Sequence, residues 1–425
     1  MIKILLFLFM FSPALLYAQP GYIEVNAPGN RQMKLAIDSP RSLDVPAAIE
    51  SVRILSDVIA FDMNMAGVVI AESRSSQPAV NALLLADADF VPWQNAGFDL
   101  LVRGEFSLKD GRLAVEFALF DVVNRKLITA KRYLGGAKDL RRFGHSFADE
   151  ILGTLTGNKG AFTTRIAYVS TQTGNKEIYV MDWDGNNPLP LTRNGSINLN
   201  PDFSPDGREI IFTSYKHSNP DLYRRSLSHT AEIPISNRKG LNMTGSWSPD
   251  GSKIALALSK DGDAEIYTLD KDGGHPSRLT VNPALDLYPA WSPDGTQIAF
   301  VSDRLGKPQL FIMNADGGDV RRLTISGAYN VNPRWSPKGD KIAYSRMTNG
   351  GFDIFTIAPD GTADTQLTSE GNNENPSWSA DGRFICFSSK RSDGDGVYVM
   401  RADGTGQTKV SRNKGMYFQP VWSAH

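Results

Sequence analysis

Apolar and polar positions alternate with a short period along most of the chain. The apolar runs are short and bounded by Gly, Pro, Asp and Asn, as in Ile298-Ala299-Phe300-Val301-Ser302 and Leu310-Phe311-Ile312-Met313. That is the pattern of strands packed on one or both faces. Two stretches carry a helical period instead: Ala47, Ile49, Val52, Leu55 and Ile59 on one face, and a segment from Asp139 through Phe147 and Ile151 to Leu155. Ile4 to Leu16 is almost wholly apolar and has no period.

The strand patterns repeat. Trp247-Ser248-Pro249-Asp250-Gly251 recurs from Trp291, from Trp335 with Lys338 in place of Asp, and from Trp378 with Ala380 in place of Pro. An earlier copy starts at Phe203, and a last, shortened copy is Trp422-Ser423-Ala424. The aromatic positions are 203, 247, 291, 335, 378 and 422, a spacing of 44, 44, 44, 43 and 44. Each repeat holds four strand patterns. The first ends in the aromatic, usually with Pro two before it, and the Pro-Asp-Gly turn follows. Two alternating strands come next, then an Asp-Gly turn such as Asp316-Gly317, then a strand ending in Leu-Thr such as Leu323-Thr324. Four strands in about 44 residues make one propeller blade. The chain ends just after a first strand, and the repeat region opens with a second strand at Ile166-Ala167-Tyr168-Val169-Ser170. The last blade is therefore composite, which leaves no open edge. The expected fold is a six-bladed, all-β propeller over 159–425.

Residues 19–158 read as a small α/β domain. Leu100-Leu101-Val102, Leu113 to Phe120 and Lys126 to Ala130 form a meander, with Asp110-Gly111 as a hairpin turn. Tyr22-Ile23-Glu24-Val25 alternates like a strand in an otherwise polar, Pro- and Gly-containing start. Residues 1–18 read as a secretory signal peptide: Lys3, the apolar run and Ala18 before the cut. The run, about 13 residues, is too short to span roughly 30 Å of hydrocarbon.

Composition narrows the function. Lys plus Arg is 45 and Asp plus Glu 46, a net charge of -1, which argues against nucleic acid and against an electrostatic membrane anchor. The single cysteine, Cys386, lies in an apolar strand and reads as a core residue. No Gly-x-Ser-x-Gly elbow, no His-Glu-x-x-His and no clustered Cys/His ligands occur. The five histidines, 145, 217, 229, 275 and 425, are scattered and read as surface or helix residues. No enzyme, cofactor or metal is expected. The alternatives are the propeller of an exported peptidase-like or a sugar-binding protein, although the repeated Trp residues suit packing between blades better than sugar binding.

One feature exceeds packing. Five residues before each aromatic stand Asn198, Asn242, Asp286, Asn330, Asn373 and Tyr417. Three before stand Asn200, Thr244, Tyr288, Asn332, Asn375 and Gln419. They lead into the innermost strands and should ring one mouth of the channel. Polar turn chemistry accounts for them equally well. The functional reading is a polar rim for a protein partner, with Tyr288 and Tyr417 as anchors.

Beyond the repeat, Asp121-Val122-Val123, Asp139-Leu140-Arg141-Arg142, His145, Ala148-Asp149, Leu155-Thr156-Gly157 and Phe162-Thr163-Thr164-Arg165-Ile166-Ala167-Tyr168-Val169-Ser170 follow a family pattern in order. On these residues the chain resembles the TolB family of the Tol-Pal system of Gram-negative bacteria. Only Asn26 to Pro40 is loosely similar. The resemblance implies a periplasmic protein that links the lipoprotein Pal to TolA and supports outer-membrane integrity and constriction at division. It also implies contact with other outer-membrane lipoproteins and exploitation by group A bacteriocins during import. On that reading, Pal takes the channel mouth and TolA takes a tether from Gln19 to about Met33 carrying Tyr22, Ile23, Glu24 and Val25, with no nucleic acid and no direct membrane insertion.

Overall fold

The computed structural model describes residues 31–42, 49–74, 89–392 and 394–424. The signal peptide and Tyr22 to Val25 lie outside them. Among the described residues, the first part of the chain forms a six-stranded sheet ordered β3-β1-β4-β5-β6, with β2 beside β4. Its strands are β1 (Met33–Asp38), β2 (Arg41–Ser42), β3 (Val69–Arg74), β4 (Leu100–Lys109), β5 (Arg112–Asp121) and β6 (Lys126–Gly135). Helix α1 (Ile49–Ala66) crosses over from β1 to the parallel β3. The antiparallel β4-β5-β6 meander turns at Asp110-Gly111, both with positive φ, as a two-residue hairpin requires.

Strand alternation sorts the sheet's side chains onto two faces. Leu35, Ile37, Val102 and Phe117 join α1 and α3 (Leu140–Thr156) in one buried cluster. Ala36, Leu101 and Phe120 pack on Trp93 of the short α2 (Val91–Asn95) on the other. The two long helices approach closely because Gly144 has no side chain: a Cβ there would stand 2.9 Å from Val58 Cγ1.

Six four-stranded sheets follow, each antiparallel. The first five blades begin at Asn198, Asn242, Asp286, Asn330 and Asn372. The sixth is composite: Tyr417–Trp422 is its inner strand and Arg165–Ser170 pairs with it, Trp422 opposite Ile166. Phe203, Trp247, Trp378 and Trp422 are buried, whereas Trp291 and Trp335 stay partly exposed at the channel end, a departure from uniform burial of the repeat aromatic. Cys386 is fully buried, and burial pushes its thiol well above the usual range. The Asp-Gly turns need glycine twice over. Gly273 has φ 87°, and a Cβ on it would meet the Ile235 carbonyl oxygen of the preceding blade at 2.1 Å.

Antiparallel strands give the propeller two unlike faces. The Trp-Ser-Pro-Asp-Gly and Asp-Gly turns share one, here the turn face. The connections between blades and the hairpins joining second to third strands share the other, the loop face. The α/β domain sits on the turn face. Arg401, beside the fifth blade's Asp-Gly turn, donates from Nε to the Met65 carbonyl at 2.9 Å and from a terminal nitrogen to that of Asn64 at 2.9 Å. A cation thus caps the C-terminal end of α1, where unpaired carbonyls and the helix dipole favour positive charge. Arg383 reaches Thr156 Oγ1 at 2.9 Å. Apolar packing continues through the junction, with the Phe61 ring 5.2 Å from Trp183. His145, expected on a surface or a helix, is on α3 and buried at this junction.

Candidate protein-binding face

Each innermost strand carries the same irregularity. The ladder shifts register just before the aromatic, between Leu287 and Ala290 for example, and again between Val331 and Arg334. The cause is readable in the residues. In five of the six strands proline two before the aromatic has no N–H to give the ladder, and in the second blade Gly245 stands there instead; the strand bulges in every case. The residue ahead of it turns left-handed. Asn200, Thr244, Tyr288, Asn332, Asn375 and Gln419 have φ of 51, 56, 54, 56, 57 and 47°. The bulges point these six inward, where they line a cavity of about 40 Å³ together with Pro201, Pro289, Pro333, Pro376 and Pro420. Neighbours tie the ring together. The Asn200 N–H donates to Gln419 Oε1 at 2.8 Å, and the Tyr288 N–H to Thr244 Oγ1 at 3.3 Å. Burial raises the Tyr288 phenol above its usual range.

Two residues beyond the ring toward the turn face, Arg334 of the fourth blade bonds Asp202 of the first blade across the channel at 2.7 Å. The blades are diametrically opposed, so this pair plugs the lumen. Burial raises the Asp202 carboxyl despite the Arg334 charge.

The set five before the aromatic behaves differently and corrects the expectation of a contact rim. Asn198, Asn242, Asp286, Asn330 and Asn373 are all 0% exposed, and Tyr417 is buried too. They staple the loops from beneath. Asn330 Nδ2 donates to Gln309 Oε1 and to the Ser326 carbonyl, both at 2.9 Å, and its Oδ1 accepts from Arg346 Nε at 2.8 Å. Asp286 accepts from Asn282 at 2.8 Å and from Arg304 at 2.9 Å. A full set of internal partners leaves these groups nothing to offer a ligand. Tyr288 and Tyr417, proposed as anchors, are not free either: Tyr288 lines the lumen and the Tyr417 hydroxyl donates to the Asn413 carbonyl at 2.5 Å.

What the loop face does offer is apolar. Ile197, Val281, Leu285, Leu305, Ile325, Tyr329, Met347 and Met416 are all exposed there, Val281 by 76% and Ile325 by 79%. Backbone bonds hold their loops against the hairpins: Met347 N–H to the Tyr329 carbonyl at 2.9 Å, Tyr215 N–H to that of Ile197 at 2.9 Å. Six of the eight sit on the third and fourth blades. Sequence reasoning missed them because each is a single apolar residue in a polar loop, with no periodicity to mark it. The expected tether, Gln19 to about Met33, lies mostly outside the described residues, and its last part is not free. Arg31 already pairs with Asp99 at 2.7 Å, and Met33 opens β1.

The fold and this face define a class: a six-bladed propeller with a plugged channel, an α/β domain on one face and stapled, apolar-tipped loops on the other. The chain belongs to the TolB family; the family model of the TolB beta propeller domain matches residues 152–425, and that of the TolB amino-terminal domain residues 21–128. It is similar to the Tol-Pal system protein TolB of Geobacter metallireducens, 55% identical over 198 residues, 47% of this chain and 46% of that one. The corresponding protein of Geobacter sulfurreducens is 51% identical over 199 residues, with 47% and 46% covered. These matches span about half the length of the curated relatives. The crystal structure of TolB from Acinetobacter baumannii superposes with a TM-score of 0.80 at 26% identity, covering 93% of this chain and 97% of that one.

Proposed function

We propose that this protein is a periplasmic, non-catalytic binding component of a Tol-Pal system. The loop face of the propeller seats the lipoprotein Pal, and the segment before Arg31, with Tyr22, Ile23, Glu24 and Val25, engages TolA by strand addition. In this role it supports outer-membrane integrity and constriction at division, and group A bacteriocins exploit the same surface. The observation that carries the reading is the cluster of exposed apolar side chains, centred on the third and fourth blades beside a polar mouth, on loops stapled by buried Asn and Asp. Apolar anchors inside a polar surround suit a protein partner, and preset loops lose little entropy on binding. Pal and TolA are the partners that the resemblance to the family implies.

Val281→Asp with Ile325→Asp tests this by calorimetric titration against the soluble domain of Pal. Both positions are mostly exposed, so the melting curve should not move. Affinity should fall about 100-fold, on the scale of two lost anchors. Val320→Asp, toward the turn face, should bind normally. Undiminished affinity in the double variant places the site elsewhere, and a parent chain that ignores Pal defeats the Tol-Pal reading.

A further inference from the structure

The junction between the α/β domain and the sixth blade contains a charged cluster closed off from water. His145 lies in the buried stripe of α3 and Asp62 in that of α1, at 3% and 0% exposure. Asp184, 3% exposed, comes from the propeller, in the turn that follows the sixth blade's third strand. His145 Nδ1 stands 2.7 Å from Asp62 Oδ2, and Nε2 stands 3.4 Å from Asp184 Oδ2. Asp184 Oδ2 is also held by the Arg141 guanidinium and by Asn186 Nδ2. Trp183, 0% exposed, covers the group, its indole nitrogen 3.3 Å from His145 Nδ1.

Proton counting gives the arrangement its meaning. A neutral imidazole has one N–H. Between two ionised carboxylates it must turn a lone pair toward one of them, which is repulsive at low dielectric. The charges are best matched when the His145–Asp62 pair holds two protons, one between Nδ1 and Asp62 and one on Nε2, which faces Asp184 at ion-pair distance without a hydrogen bond. The two carboxylates belong to different domains, so the second proton is favoured only when the domains are together.

We propose that docking of the α/β domain on the propeller is proton-linked: His145, held between Asp62 of its own domain and Asp184 of the sixth blade, takes up a proton as the domains close and releases it as they part.

The surrounding charges agree. Arg141 on α3 neutralises Asp184. Asp149 on α3 and Asp182 on the sixth blade face the cluster and add negative potential, partly offset by Arg165 beside Asp182. Asp381 of the fifth blade acts on Asp149. Burial pushes the Asp62 carboxyl up to about 7 against the pull of His145. Burial opposes charge on His145, but Asp62 and Asp184 outweigh it and raise the ring to about 10. Burial also works against Asp184, yet His145 and Arg141 hold it below the usual carboxylate range.

Asp184 raises both Asp62 and His145, so both bind protons more tightly when it is brought in by docking. Asp62 already raises the ring within its own domain and docking adds Asp184, so the docking contribution is present at low pH and is lost as pH rises toward about 10. The cost of burying ionised Asp62 grows between its ordinary 3.8 and about 7, in the same direction. The lowered Asp184 would weaken docking only in strong acid. The junction is tighter at pH 6 than at pH 9.

The test is hydrogen exchange of the α1 and α3 amides in the full chain at pH 6 and pH 9, corrected for intrinsic exchange, beside nitrogen-15 NMR of the histidine rings. Protection at the junction should drop at least tenfold from pH 6 to pH 9, since one linked proton changes an equilibrium about tenfold per pH unit. The wild-type His145 ring should still carry both protons at pH 8. Asp184→Asn, which keeps the shape and removes the second carboxylate, should flatten the pH dependence. A His145 ring neutral at pH 8, or a pH dependence unchanged by Asp184→Asn, overturns the proposal. The ring measurement on the wild-type chain decides the matter even if the variant misfolds.

Discussion

Thr244 shows what the channel ring costs at a single residue. Its φ of 56° is a left-handed conformation that β-branched residues avoid, because Cβ and both of its substituents crowd the backbone. The equivalent positions in three other blades carry Asn, which tolerates that region. Thr244 persists because the bulge is fixed by the strands on either side and because its Oγ1 accepts the Tyr288 N–H. Strain of this kind is worth about 1–3 kcal/mol. Thr244→Asn relieves it, and the amide oxygen can take over the acceptor role that Gln419 plays for Asn200. The melting temperature should rise by about 2–4 °C, the shift expected for about 1 kcal/mol in a domain of this size. A drop would show that the hydroxyl contact outweighs the strain. The same position marks how far the sequence could be read. Proline two before the aromatic was visible in the other five blades, and Gly245 here, yet the left-handed residue and the bulge depend on the ladder that is interrupted. Asn330 and Asp286 are polar, regularly spaced and beside a mouth, so sequence alone made them contact residues. Only the packed loops show that they face inward.

At the scale of elements, blades were legible and their junction with the first domain was not. Register, turn chemistry and the composite closure follow from local residues. Trp422 opposite Ile166 is the pairing that the repeat demands. The helices were also legible, but two titratable residues in their apolar stripes, Asp62 and His145, had no visible reason to be there. The reason is a third residue, Asp184, that is brought in by docking. The close approach of α1 and α3 makes a testable point. A Cβ on Gly144 would meet Val58 Cγ1 at 2.9 Å, with the Leu55 carbonyl at 3.5 Å behind it. Gly144→Ala gains helix propensity, about 1 kcal/mol at an unhindered site. Here the helices must separate, and overpacking of this kind typically costs about 1–3 kcal/mol. The net effect should be a lower melting temperature for the first domain, relieved by adding Val58→Ala. Gly144→Ala alone raising that temperature would mean that α1 moves freely on α3.

At the scale of the whole molecule, the chain is built from two folds, yet its main apolar cluster ignores the boundary. Leu55, Ile59, Phe147 and Ile151 of the α/β domain share it with Phe162, Trp183, Phe384, Cys386 and Trp422 of the propeller. Trp183 is the keystone of that cluster. It is 0% exposed, and its ring lies 5.2 Å from Phe61, 5.1 Å from Phe162, 5.7 Å from Phe384 and 6.1 Å from Trp422. Domains that share a core should unfold together, so the intact chain should give one cooperative transition in scanning calorimetry. Trp183→Ala removes about 3–5 kcal/mol of packing. The loss falls unevenly. The propeller keeps its ring closure through the strand Tyr417–Trp422 and its blade-to-blade contacts, whereas the smaller domain loses its principal apolar contact with its partner. The variant should therefore show two transitions, the α/β domain melting first and the propeller near the parental temperature. Arg401, still capping α1, would keep the domains loosely joined, so Arg401→Ala should widen the gap between the two peaks in the Trp183→Ala background. A single transition, merely shifted down, would mean that polar contacts alone couple the domains and that the shared core is incidental.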